Sequence, residues 1–460
     1  MSPTDPQQGG AMPPGYPPAS AYPQAAPNPG YGAPPAVAPG YPAYPNYGYQ
    51  GYPGAPGYYL PFPNVVRAPR DNYRLVVGII CTVSLGLTLL GGALFAVILG
   101  VESSNTSLSI VAVLGYIALT AMAGGGVGLY FTIRALMGRP SATVRLPNFI
   151  IPLLLTVAVL AVGIVQYDAG IPQATPWLES PLLVLTGILP AVTIFTFAAQ
   201  RLGFPTTWRR VWLSFLSGTF LAALIAIILE VIAGFALSFL LRADTGSLNV
   251  DASNASQVIG LLITVSVIAP LAEEGFKPIG PFIILWRLSG PAEAFLVGMA
   301  AGTGFAIFET IGYIGSGVGD WVVIAVLRIG AGLLHSVGAG MATLGWYYLL
   351  RGKGVAQRYA KGLGCLAYAV VQHGIFNGST LLQLVPGPLQ DLLSAPVWFF
   401  GLPMDGSFVL ALVLYAGIAT VLVMVTNALR KGASTPTPVP VADVAPTPAA
   451  QPTPAIGGLR

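Results

Sequence analysis

The sequence predicts an all-α polytopic membrane protein of about ten transmembrane helices, with both termini cytoplasmic. Three observations carry that prediction: the composition, a series of apolar runs each long enough to cross a bilayer, and a regular alternation of charge between them. Hydrophobic residues make up 54% of the 460-residue chain and charged residues 8%, against about 25% charged in a water-soluble domain. Mean hydropathy is +0.73. Such a chain is solvated by lipid, which places it in a cell membrane as a multi-pass protein. The formal charge of +4 is spread over short basic clusters between apolar runs. That pattern sets membrane orientation and argues against a nucleic-acid partner.

Residues 1–70 are dominated by Pro, Gly, Ala and Tyr, a composition with too little aliphatic surface to fold, so a disordered tail is expected there. Residues 433–460 form a second, Pro/Thr-rich tail of the same kind. The polar, Pro-rich start does not have the form of a cleavable signal peptide. Cys81 and Cys365 both lie within apolar runs, which gives no basis for a disulfide framework.

Between the tails, the apolar runs fall at 75–101, 108–133, 148–166, 181–199, 212–241, 257–288, 292–316, 321–350, 362–385 and 405–429. Basic residues precede the first run (Arg67, Arg70, Arg74). They also follow the second (Arg134, Arg139, Arg145), the fourth (Arg201, Arg209, Arg210), the eighth (Arg351, Lys353, Arg358, Lys361) and the tenth (Arg430, Lys431). The intervening loops carry mainly acids: Glu102, Asp168, Glu179, Asp244, Asp251, Asp320 and Asp391, with Arg242 as the exception. Positive residues remain on the cytoplasmic side, which orients every run. Gly298 and Gly302 make a small-xxx-small pair in the seventh run, where helix backbones can approach closely.

Charged residues inside membrane helices are costly and usually functional. Glu273 and Glu274 stand near the middle of the sixth run, with Lys277 within one turn of both. Pro270 and Pro278 flank them, and these prolines are also consistent with a short loop splitting the run. The seventh run carries Phe305 and Glu309 at i and i+4, the eighth Arg328 and His335 at i and i+7, and the ninth His373 and Asn377 at i and i+4. The two histidines of the chain thus both fall in apolar runs. Counting rise from the span ends puts Glu273, Glu309, His335 and His373 in one layer near mid-membrane, so a shared site in spans six to nine is expected. Arg328 and Glu230 lie at similar depths and make either a structural ion pair or, for Arg328, a partner of a site carboxylate.

Carboxylates and imidazoles in a low dielectric suit activation of water. One of two adjacent carboxylates can be tuned into a general base while Lys277 keeps the other ionised. His373 and Asn377 on one face offer donors to an oxyanion. Ser336 adjoins His335 in sequence but not on the helix face, so a serine nucleophile is poorly supported. The rival class is a proton- or ion-coupled transporter, which also uses buried Glu and His. It would show matched halves, whereas the polar layer here has no counterpart in spans one to four. A catalytically inactive membrane scaffold is the third reading.

Glu273-Glu274-x-x-Lys277, Phe305-x-x-x-Glu309, His335 and His373-x-x-x-Asn377, in that order on consecutive spans, resemble the motifs of PrsW-type intramembrane proteases. Those proteases are distantly similar to the CAAX-prenyl proteases and bacteriocin-processing proteins, whose second motif usually ends in His where this chain has Glu309. Thr310 and Phe376 depart from the residues common in the family, and neither is a catalytic donor. The resemblance implies a protease core at 207–390, preceded by transmembrane helices at 71–206 and followed by a last span within 391–432. It implies an enzyme that cuts membrane-anchored protein substrates, as its namesake cuts an anti-sigma factor in regulated proteolysis. Glu273, Glu274, Glu309, His335, His373 and Asn377 are the expected catalytic residues, supported by Lys277, Phe305 and Arg328. If zinc (Zn2+) is bound, His335 and His373 are the nitrogen ligands, with Glu273 or Glu309 as the carboxylate. The chain contains no HExxH helix, which tilts the sequence reading toward metal-free chemistry.

Overall fold

The computed structural model describes residues 123–139, 141–169, 176–241, 254–316, 321–385 and 387–433, together with positions 78, 79 and 82. The expected first span and most of the second lie outside the described residues, as do both tails. The described helices are α1 (123–136), α2 (Ile150–Asp168), α3 (Pro176–Leu202), α4 (Trp208–Leu241), α5 (Ala255–Ile283) and α6 (Pro291–Ser316). There follow α7 (Trp321–Arg328), α8 (Ala331–Arg351), α9 (Gly362–Leu381), the short α10 (Pro388–Leu393) and α11 (Gly406–Ala433). Among the described residues, seven helical stretches are long and apolar enough to cross a membrane: α2, α3 from Pro181, α4, α5, α6, α7 with α8, and α11. Helix α9, the expected ninth span, has 20 residues but is not among the seven. Its C-terminal half carries the polar side chains Gln372, His373, Asn377, Ser379 and Thr380, which lower its hydropathy.

Among the described residues, the helices are joined by one isolated bridge between Thr143 and Thr207 and by a two-stranded antiparallel hairpin, β1 (Pro396–Phe399) with β2 (Leu402–Asp405). Phe400 and Gly401 turn it with φ of 49° and 83°, the positive values that a two-residue hairpin loop requires. Leu402 and Met404 are buried beside Trp321 and Val322, so the hairpin packs against the start of α7 before α11 begins.

Helices α6 and α8 form the centre of the bundle. In lipid there is little hydrophobic drive between helices, so close approach must come from small residues. An added Cβ at Gly302 would overlap the His335 carbonyl, and one at Gly298 would meet the Ala339 carbonyl at 2.6 Å. The pair marked in the sequence is therefore where α6 lies against α8. Helix α4 crosses α6 through Gly218, whose Cβ position is taken by the Ala301 backbone. Around that contact α4 winds as a π-helix over Ser217–Ala222.

Glu293 ties the start of α6 to the segment before α4. Fully buried, it accepts from the Ser289 backbone N–H (2.7 Å), from Thr206 Oγ1 (2.9 Å) and from Arg210 (2.6 Å). A buried carboxylate satisfied on this many sides holds its neighbours in register.

Candidate active site

Helix α5 is irregular in two places, and both serve the site. Thr264–Ile268 winds as a π-helix immediately before Pro270, which has no N–H to give to the preceding turn. The regular segment Ala269–Phe276 then carries Glu273 and Glu274 and stops at Lys277 and Pro278, before a last turn at Ile279–Ile283. The two half-spans considered in the sequence are thus joined by a break at Lys277–Pro278, inside one 29-residue span.

Lys277 is fully buried. Its Nζ lies 2.5 Å from Glu274 Oε1, 2.8 Å from His335 Nδ1 and 3.0 Å from Glu273 Oε2, with the Phe305 ring centroid at 4.2 Å. An ammonium only donates, so His335 Nδ1 accepts and the ring proton of a neutral His335 resides on Nε2. That nitrogen is 2.5 Å from Glu309 Oε2, and Arg328 approaches the same oxygen at 2.7 Å. Both contacts are close but not aligned as hydrogen bonds. Of the two roles weighed for Arg328, the structure shows the pairing with a site carboxylate. Its guanidinium lies 4.2 Å from the centroid of the Tyr313 ring.

His373 is oriented from the other side. Its Nδ1 is 2.9 Å from Glu274 Oε1, an acceptor, so Nδ1 carries the proton. Nε2 keeps its lone pair, 3.8 Å from Glu273 Oε2, beyond hydrogen-bonding distance. Glu273 Oε2 in turn has an ion pair with Lys277 but no aligned hydrogen bond. The site therefore leaves one imidazole lone pair and one carboxylate oxygen facing each other, while His335 has both ring nitrogens engaged.

The structure thus brings Glu273, Glu274, Lys277, Phe305, Glu309, Arg328, His335 and His373 together. Asn377 lies one turn from His373, where its Nδ2 donates to the Val265 carbonyl at 3.0 Å, joining α9 to the π-helical turn of α5. Ser336 points elsewhere, with its Oγ 3.0 Å from Thr303 Oγ1.

Two residues escaped the sequence reading. Gln372 donates to the Leu334 carbonyl at 2.9 Å. Gly338 leaves the space that Glu274 fills: a Cβ there would stand 2.8 Å from Glu274 Oε2 and 2.7 Å from Gln372 Nε2. Gln372 was detectable as a buried amide beside His373, and Gly338 as one of the glycines of the eighth run. Neither spacing announced the contact.

Glu273, Glu274, His335 and His373 each offer one ligand atom, and these atoms lie within 4.8 Å of one another, all buried. Oε2 of Glu273 and Oε2 of Glu274 are buried without hydrogen-bond partners. Two imidazoles with two carboxylates are the donor types that zinc takes in catalytic sites, so the residues fit a metal ion. The carboxylate beside the histidines is the Glu273–Glu274 pair; Glu309 lies on the far side of His335.

These features define a multi-pass membrane protein with a carboxylate–imidazole cluster buried among its helices. Residues 206–403 match the PrsW family of intramembrane metalloproteases. That region is a PrsW family intramembrane metalloprotease domain, and the protein is accordingly a peptidase. The match selects the peptidase reading over the transporter, and its metalloprotease description stands against the metal-free leaning drawn from the missing HExxH helix. No curated protein and no solved structure matches the chain.

Proposed function

We propose that the protein hydrolyses peptide bonds of membrane-anchored proteins by water attack, with Glu273 as the general base. The observation that carries this is the pairing of Glu273 Oε2 with the lone pair of His373 Nε2 across 3.8 Å, a gap lined by two acceptors and suited to orienting a donor such as water. Glu273 takes a proton from that water as its oxygen bonds to the scissile carbonyl carbon. The same carboxyl group then passes the proton to the amide nitrogen as the C–N bond breaks, leaving a carboxylate and an amine. Glu274 holds both Lys277 and His373 through one oxygen, so it positions rather than reacts. Lys277 offsets the negative charge that accumulates in the cluster.

Zinc held by His335, His373 and Glu274, which has an unpartnered Oε2, would leave Glu273 as the base and would polarise the carbonyl and acidify water. Regulated cleavage of a single-span protein such as an anti-sigma factor is the biological setting the resemblance implies. Burial of every donor within helices suits a substrate that reaches the site through the membrane.

The test is cleavage of a single-span model substrate by purified protein in detergent, with and without a chelator. Glu273→Gln keeps size but removes the basic lone pairs, and should lower turnover on the order of 100-fold or more. Near-wild-type cleavage by this variant, shown to be folded, would sink the assignment of Glu273 as the base.

A further inference from the structure

We propose that the Lys277 ammonium and a divalent cation are alternative occupants of one donor set, so that metal enters this site only as Lys277 leaves it. The inference rests on the same cluster as the proposed function, but its readout is metal binding and needs no substrate.

Three observations carry it. First, Lys277 Nζ contacts three of the four residues that offer ligand atoms: Glu274 at 2.5 Å, His335 at 2.8 Å and Glu273 at 3.0 Å. A side-chain cation already stands where an added cation would draw its ligands. Second, with the ammonium in place His335 has no lone pair to give, because Nδ1 accepts from Lys277 and Nε2 carries the proton toward Glu309. His373 Nε2 is then the one imidazole donor left of the two in the donor set. Withdrawal of Lys277 releases His335 Nδ1 and oxygens of both glutamates together.

Third, the charges favour exchange over addition. Glu273, Glu274 and Glu309 face Lys277 and Arg328, which leaves one net negative charge with both imidazoles neutral. A divalent ion added beside Lys277 would make the buried cluster positive, whereas the same ion in its place makes it neutral, and uncompensated charge in this environment is costly. Lys277 stands at the joint between Ala269–Phe276 and Ile279–Ile283, one residue before Pro278, where the regular helix stops.

The experiment titrates the full-length protein in detergent with Co2+, followed by visible absorption and calorimetry, for the wild type, Lys277→Met and Lys277→Gln. Removing a positive charge from the donor set should tighten Co2+ binding by about tenfold or more in both variants, with absorption showing nitrogen–oxygen coordination. Lys277→Gln retains an amide donor for Glu274, and it decides the matter if Lys277→Met does not elute as folded protein. Equal affinity in the wild type and the variants, tighter binding in the wild type, or no Co2+ binding by any of the three would each overturn the proposal. Loss of cleavage by Glu273→Gln bears on the proposed function alone and leaves this comparison intact.

Discussion

His335 and Glu309 meet at 2.5 Å through Nε2 and Oε2, and Arg328 holds the same oxygen at 2.7 Å. With Lys277 on the opposite ring nitrogen, both nitrogens of His335 have a charged neighbour, whereas His373 is hydrogen-bonded through Nδ1 alone. The carboxylate on α6 thus stands against the nitrogen of His335 that Lys277 leaves open.

If Glu309 positions His335, its charge matters less than its acceptor oxygen. Glu309→Gln keeps a carbonyl facing Nε2 and should retain several-fold more activity than Glu309→Leu, which leaves both His335 and Arg328 without their partner. The Leu variant should also be less stable by about 1–3 kcal/mol, the range for leaving a buried polar group without its partner. Turnover and thermal unfolding of the two variants test this, and equal loss in both would show that the charge itself is required.

Gly338 predicts a steric effect on chemistry. Gly338→Ala puts a methyl 2.8 Å from Glu274 Oε2, so the carboxylate that holds Lys277 and His373 must shift. Activity should fall at least tenfold, since misplacement of a catalytic group by about 1 Å is known to cost on this scale. Gly364→Ala meets nothing within 4 Å and should leave turnover unchanged. Similar rates for the two variants would remove Gly338 from the site.

Asn377 separates two roles. As an oxyanion donor, its loss would slow the reaction by about 2.7–4 kcal/mol without affecting stability. The bond to the Val265 carbonyl predicts the other result for Asn377→Ala: about 1 kcal/mol of lost stability and a rate loss smaller than that of Glu273→Gln. Thermal unfolding together with single-turnover rates separates the two.

Topology can be tested by reporter fusions. The charge alternation predicts extracytoplasmic signals for fusions after residues 105, 175, 248, 318 and 390, and cytoplasmic termini. Cytoplasmic signals at two or more of these points would overturn the orientation. A lone failure after 248 would point to Arg242.

The multi-pass helical character was legible from the sequence because lipid demands long apolar runs, and charge between them records orientation. The candidate residues were legible for a related reason: Glu273, Glu309, His335 and His373 stand out where nearly every neighbour is apolar. Gly298 and Gly302 likewise marked a face of close approach on α6, since small residues are what lets helices touch in lipid; that α8 lies there came from the packing. Tertiary structure alone decided the connections. That Arg328 pairs with Glu309 and that Asn377 spends its amide on the Val265 carbonyl depend on rotations about helix axes, which periodicity within one span does not report. The hairpin at 396–405 was hidden between two apolar segments, its register set by burial of Leu402 and Met404 against α7. Above all, the sequence placed Lys277 beside two glutamates, but only the packing of α5 on α8 brought its ammonium to His335 Nδ1, because that contact joins residues 58 positions apart.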